Sequence, residues 1–337
     1  MGMVFYTPQQ VPCSPENTEL QDYPPMENSC RIRLRDGRYL AYAERGVPRH
    51  ESRYRIIIVH GFGSSKEMNF PVSQDVVEEL GIYFLLFDRA GYGDSDPNMY
   101  RSVKSEALDI EELADKLELG SKFYMIGVSM GSYPTWSCLR YIPHRLAGVA
   151  LVVPVVNYWW PSLPKSLTKL DFRKKVIRWI LRIASHAPAL LRWWVNKKCL
   201  PSNSSLERDP TFFNEHDMEV LKHSKGFPML TRERLRQQEV FDTLRTDFMV
   251  CFGKWEFDPI GMCDPFQGST EGSVHIWQGQ EDKVVPVELQ RCISLKLPWI
   301  RYHEVPKGGH LIVHYSGMCD VIVKALLVGE ESLAHGI

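Results

Sequence analysis

Four short apolar runs, each ending in glycine or polar residues, constrain this chain more than any other feature. They are RIIIVHGFG (55–63), IYFLLFDRAGYG (82–93), KFYMIGVSMG (122–131) and LAGVALVVPVV (146–156). Unbroken runs of this kind read as strands buried on both faces. Helix-length segments separate them, such as SVKSEALDIEELADKLEL (102–119), where Ala107, Ile110, Leu113, Leu117 and Leu119 make one apolar stripe. Strands and helices in alternation predict a parallel sheet covered by helices on both sides, an α/β architecture. Ligands of such sheets bind beyond the carboxyl ends of the strands, so the polar residues there are the place to look for chemistry.

A chain of 337 residues exceeds what one hydrophobic core usually holds, so it is either two domains or one core with an insertion. The strand pattern favours the second option. It stops after Val156 and resumes at VHIWQGQ (274–280) and RYHEVP (301–306), which predicts a helical insertion over 157–253 within a core of 31–156 plus 254–337. Ahead of the first run, RIRLRDGRYLAYAERG predicts a hairpin turning at Asp36-Gly37. Residues 1–30, with five prolines and no periodicity, read as an irregular leader.

Composition excludes disordered and fibrous classes, with 44% hydrophobic and 24% charged residues and a formal net charge of -1. Eight scattered cysteines without a CxxC pair, and no secretory leader at the start of the chain, suggest a reduced, cytoplasmic setting. No apolar run is long enough to span a membrane. No His/Cys/Asp spacing suits a metal, and no cofactor is expected. The glycines of Asp88–Asp96 lack both the P-loop ending and the dinucleotide-binding spacing, so that segment reads as a structural loop.

The sharpest motif is Gly127-Val128-Ser129-Met130-Gly131, a G-x-S-x-G between an apolar run and the helix-like SYPTWSCLRYI. By chance the pattern alone occurs in ~0.1 of chains this long, but strand-turn-helix is the setting that a nucleophile elbow requires. A serine hydroxyl needs a base, and the base needs an orienting carboxylate. His310 lies just past a strand, after Lys307-Gly308-Gly309. His303, inside that strand, and His314 read as structural. Asp282, at the end of VHIWQGQ, is the candidate carboxylate in preference to its neighbour Glu281, because the shorter side chain on a turn is the more rigid orienter. The preceding strand ends in Asn157 and offers no acid. The backbone amides of Met130 and of Phe62, in the turn His60-Gly61-Phe62-Gly63, are the candidate oxyanion donors. His60 is expected to brace that turn. His60, Gly61, Gly63, Tyr133, Trp159 and Trp160 are the candidate substrate-pocket residues.

HGFG, DRAGYGDSD, GVSMG, GQEDKVVP and KGGH, in this order around a helical insertion, resemble the α/β-hydrolase superfamily. SLTKL, IPHRLAGVA and VVNYWWPSLPK are similar to a group of plant serine esterases or lipases. The resemblance implies a mostly parallel eight-stranded sheet flanked by helices, with the insertion as a cap or lid. It also implies hydrolysis of a carboxylic ester of a hydrophobic or lipid-like molecule by Ser129, His310 and Asp282. The chain departs from many relatives in having Gly131-Ser132 where they have Gly-Gly. Thioester cleavage and acyl transfer use the same three residues, and a triad-bearing ligand receptor or noncatalytic scaffold is a further alternative. Oligomeric state is open.

Residues 165–198 hold ten Lys+Arg and one acid, Asp171, and five of the nine tryptophans lie within 157–199. Phe172, Val176, Trp179, Ile180, Ile183 and Ala187 recur at helical spacing, with Lys175, Arg178 and Arg182 on another face. This amphipathic helix either packs its apolar stripe on the core or rests a basic aromatic face on an anionic membrane surface. Nucleic acid is not an expected partner.

Overall fold

A computed structural model of the protein describes residues 30–198, 212–223, 228–267 and 272–329. The expected leader therefore lies outside the described residues, except Cys30. Eight strands form one sheet: β1 (Cys30–Arg33), β2 (Tyr39–Gly46), β3 (Tyr54–Val59), β4 (Ile82–Phe87), β5 (Phe123–Val128), β6 (Leu146–Val152), β7 (Val274–Gly279) and β8 (Ile300–Val305). Their spatial order is β1-β2-β4-β3-β5-β6-β7-β8. β2 runs antiparallel to both β1 and β4, and every later pairing is parallel. The β1–β2 connection turns through Gly37, whose φ of 95° suits glycine.

The unbroken apolar runs are explained by how their side chains divide between the two faces of the sheet. In β3, Ile57 and Val59 join one core cluster while Ile56 and Ile58 join the other; in β4, Leu85 and Phe87 oppose Phe84 and Leu86 in the same way. With apolar cores on both sides, no position in these strands favours a polar residue. Helices α1 (Gln74–Leu80), α2 (Val103–Lys116) and α3 (Ser132–Tyr141) follow β3, β4 and β5 in turn. α2 begins at a reciprocal cap between Ser102 and Ser105 and buries Ala107, Ile110 and Leu113.

Between β6 and β7 the described residues contain helices and no strand: α4 (Lys165–Thr168), α5 (Phe172–His186), α6 (Pro188–Lys198), α7 (Glu215–His223), α8 (Arg232–Arg236) and α9 (Gln238–Phe252). α10 (Val287–Lys296) and α11 (Met318–Val328) complete the sheet domain's layers. The Asn157 amide donates to the carbonyls of Cys251 and Gly253, which ties the chain entering this helical segment to the chain leaving it.

α5 departs from the expected packing of its stripe. Ala184 is the buried residue of this helix, and Ile177, Ile180, Leu181 and Ile183 are partly buried around it, whereas Phe172, Val176 and Trp179 face solvent. The core takes a face rotated from the one that the spacing of the largest side chains selects.

Candidate active site

β3 and β5 are neighbours although β4 lies between them in sequence, so the chain leaves their carboxyl ends in different directions. A crevice belongs at that point of an open parallel sheet. The turn after β5 carries Ser129, held at φ 51°. A non-glycine residue in this left-handed region costs roughly 1–2 kcal/mol and must be held by its surroundings. Those surroundings admit nothing larger than glycine on either side. A Cβ on Gly127 would come within 2.2 Å of Thr135 Oγ1, and one on Gly131 within 2.1 Å of the Val59 carbonyl oxygen. Ser132, by contrast, fits: it is fully buried, and its hydroxyl accepts the Val155 N–H at 3.1 Å.

Ser129 Oγ lies 2.9 Å from His310 Nε2, and His310 Nδ1 lies 2.8 Å from Asp282 Oδ2. Since Nδ1 faces a carboxylate, it carries the proton and donates, leaving Nε2 to accept from the serine hydroxyl. The Asp282 carboxylate is saturated with donors. Its Oδ1 accepts the Val284 and Val285 N–H groups at 2.8 Å each, and its Oδ2 also accepts from Gln278 at 3.0 Å. Glu281 turns away to solvent, where it accepts from Asn214. Burial pulls the His310 imidazole toward the neutral form. The Asp282 charge and hydrogen bond, with a further contribution from Asp217, outweigh burial and raise its pKa above the ordinary value.

The turn after β3 packs against the serine. A Cβ on Gly61 would sit 3.2 Å from Ser129 Cβ and 3.8 Å from its Oγ, so the backbone leading to Phe62 passes beside the nucleophile. Met130 follows Ser129 in the 3-10 turn that opens α3. His60 is buried between backbone groups: Nδ1 donates to the Gly61 carbonyl at 2.8 Å and Nε2 accepts the Arg89 N–H at 3.1 Å. Burial and the Arg89 charge hold its pKa well below the usual imidazole value, which leaves it a neutral brace.

The helical segment reaches this region through three polar anchors, two of them with no signature in the local sequence. Asp217 of α7 is fully buried: its Oδ2 accepts the N–H of His310 and its Oδ1 that of Leu311, each at 2.8 Å, and Tyr315 OH donates to it at 3.1 Å. Gly309 must be glycine here, because a Cβ would lie 2.0 Å from Asp217 Oδ2. Asp247 of α9 is also fully buried and accepts from Arg89, Tyr92 and Tyr133. These carboxylates lie 93 and 158 residues from partners such as His310 and Arg89, so only the folded chain reveals them. The third anchor is backbone: Met229 N–H donates to the Gly63 carbonyl at 3.1 Å, with Leu230 packed on Gly63.

Of the expected pocket residues, Gly61 borders Ser129, and Gly63 is covered by Leu230. Tyr133 and Trp160 are core residues instead. The Tyr133 hydroxyl is spent on Asp247 and Arg89, and the Trp160 ring packs edge-on against Trp136 and Trp255 at 6.3 and 5.3 Å. Trp159 is half-buried against the same core, its backbone N–H donating to Asn157 Oδ1. The expected structural loop at Asp88–Asp96 is organised by Asp88, which accepts from Lys66 and from the Asp94 N–H. Among the described residues no cluster of His, Cys, Asp or Glu could hold a metal ion, and no helix is long and apolar enough to cross a membrane.

Known proteins share this fold. The chain is 22% identical over 280 residues to the probable lysophospholipase BODYGUARD 1 of Arabidopsis thaliana, covering 78% of this chain and 56% of that protein. It spans about half the length of the curated relatives it matches. Among solved structures, an esterase from Exiguobacterium antarcticum superposes with a TM-score of 0.61 at 17% identity, covering 88% of this chain and 98% of that one. A thermophilic esterase from Thermogutta terrifontis superposes with a TM-score of 0.56 at 20% identity, covering 88% and 97%. At these identities the two structures speak for the fold. The alpha/beta hydrolase fold family matches residues 54–316, which include Ser129, Asp282 and His310, and the chain therefore belongs to that family.

Proposed function

We propose that this protein is a serine hydrolase that cleaves a carboxylic ester of a hydrophobic or lipid-like small molecule through an acyl-enzyme. The observation that carries the reading is the continuous relay from Ser129 Oγ through His310 to Asp282, at 2.9 and 2.8 Å, on a serine held in a left-handed turn. In the first half-reaction Ser129 Oγ attacks the ester carbonyl carbon while its proton passes to His310 Nε2. The carbonyl oxygen becomes an oxyanion, for which the Phe62 and Met130 amides are the donors, each worth ~100 to 1000-fold in rate. Collapse breaks the bond to the alcohol, and the His310 proton goes to the departing oxygen. Water then attacks the acyl-enzyme, giving its proton to His310, which returns it to Ser129 as the acid leaves.

Asp282 keeps the imidazole in the required tautomer and stabilises it when charged. The helical segment over 157–253 serves as the lid, since Leu230 and Phe248 pack on Gly63 and Phe62 beside the serine. A cytoplasmic setting is part of this proposal and rests on the eight scattered cysteines without a CxxC pair. A fluorophosphonate probe should label the wild type and not Ser129→Ala, and p-nitrophenyl esters of increasing acyl length should report the preferred acyl group. Absence of labelling would leave a ligand-binding role for the same cleft. Faster turnover of thioesters, or transfer to an added alcohol, would redirect the assignment to thioesterase or acyltransferase chemistry.

A further inference from the structure

α5 has three faces where an ordinary packed helix has two. Ile177, Leu181 and Ala184 turn inward. Phe172, Val176 and Trp179, spaced one turn apart, turn outward and stay 52%, 43% and, for Val176, 47% exposed in the order Phe, Trp, Val. Lys175, Arg178 and Arg182 are exposed as well and lie about a quarter turn from that outward stripe. On α6, Leu190 and Trp193 share one side at 52% and 55% exposure, and an edge contact at 5.1 Å between Trp179 and Trp194 joins the two helices. Single exposed apolar residues need no explanation, but several large ones on two joined helices mark an interaction site.

We infer that the outward face of α5 and α6 docks on an anionic lipid surface. The pattern of rings and aliphatic side chains beside a row of cations is that of a helix lying in a bilayer interface, with the apolar stripe among the acyl chains and the cations among the headgroups. The charge balance selects this occupant. Among the described residues no carboxylate pairs with Lys175, Arg178 or Arg182, so these cations remain available to lipid phosphates and carboxylates. A second copy of the chain is the poorer fit, because a two-fold interface would set this cationic row against its own equivalent. The inference does not depend on the catalytic reading: binding is measured without turnover, and Ser129→Ala should bind as the wild type does.

The test is flotation of the full-length protein with vesicles of phosphatidylcholine alone or mixed with phosphatidylserine, with tryptophan emission followed in parallel. Binding is expected with the mixed vesicles at low salt, with emission shifting to the blue as Trp179 and Trp193 leave water, and with release at high salt. Each Lys or Arg near such a surface contributes roughly fivefold to partitioning, so Lys175→Gln/Arg178→Gln/Arg182→Gln should weaken binding on the order of 100-fold. Trp179→Ser/Trp193→Ser should weaken it at least about tenfold and abolish the blue shift. All five residues are exposed, and unchanged circular dichroism would verify that the variants fold. Equal binding to both vesicle types, no binding to either, or binding unaffected by both variants would overturn the inference. So would concentration-dependent dimers that these variants abolish in the absence of vesicles.

Discussion

Asp217 offers the most exposing test of how the helical segment serves the site. Its carboxylate, fully buried, holds the N–H groups of His310 and Leu311 at 2.8 Å and the Tyr315 hydroxyl at 3.1 Å. Asp217→Ala leaves two buried backbone donors and the half-buried Tyr315 hydroxyl without an acceptor. At ~1–3 kcal/mol for each unsatisfied group, with water recovering part of the loss, destabilisation of about 3–6 kcal/mol is expected. For a chain of 337 residues that corresponds to a fall in Tm of about 4–8 °C. Because two of the donors are the backbone of the catalytic base and its neighbour, His310 should also lose its registration on Ser129, and misplacement of about 1 Å costs on the order of 100-fold in kcat. Asp217→Asn separates the two effects. It keeps the shape and one acceptor oxygen, so it should fold, yet it removes a charge that helps to raise the His310 pKa. The acidic limb of kcat/KM against pH should therefore move to lower pH while KM changes little. The assay is p-nitrophenyl ester turnover with differential scanning calorimetry on both variants. If Asp217→Asn leaves Tm, kcat and the acidic limb all at wild-type values, the anchor has no hold on the histidine and the reasoning fails.

Three further outcomes follow from the same geometry. Neutral His310 is the active base, so kcat/KM should fall as pH drops through a pKa above the ordinary 6.5; Asp282→Asn should lower that pKa and cut kcat by about 10⁴-fold. His275 and His303 are buried, stacked at 5.2 Å and, chiefly by desolvation, pushed down to about 3 and about 4. The unfolded chain therefore binds protons that the folded chain does not. Stability should rise with pH between about 4 and 6.5 and be lower at pH 5 by about 2 kcal/mol for each imidazole; urea titrations that are flat over this range would contradict the assignment. Asp247→Ala would strand Arg89 in the core and should cost about 3–5 kcal/mol, read as a lower urea midpoint; a midpoint within error of wild type would show that the cluster contributes nothing net.

The primary structure alone pointed to a helix-flanked parallel sheet and to Ser129, Asp282 and His310, which the fold brings within hydrogen-bond reach of one another. Short apolar runs that end in glycine and alternate with helix-length segments read as strands buried on both faces, and a serine between glycines at the end of such a run suits a tight turn. Ser129, Asp282 and His310 each follow a strand, so strand order alone delivers them to one edge of the sheet. The Gly131-Ser132 departure also resolves locally, because a small hydroxyl fits where the Val155 N–H needs an acceptor.

What the tertiary structure decided is everything that depends on which face of an element meets another. Tyr133 and Trp160 follow strand ends as a pocket residue should, yet packing turned both into the core. The apolar spacing in α5 reads as one stripe from Phe172 to Ala187, and only contact with α6, α9 and the core shows that Phe172, Val176 and Trp179 remain outside while Ile180 and Ile183 turn inward. Asp217 reads in sequence as one more acid on a helix. It becomes the brace of His310 because the fold brings two backbone amides and a phenol to it, and a buried carboxylate needs such donors. Periodicity is local and survives in sequence, whereas the partner that satisfies a buried polar group is chosen by the whole fold.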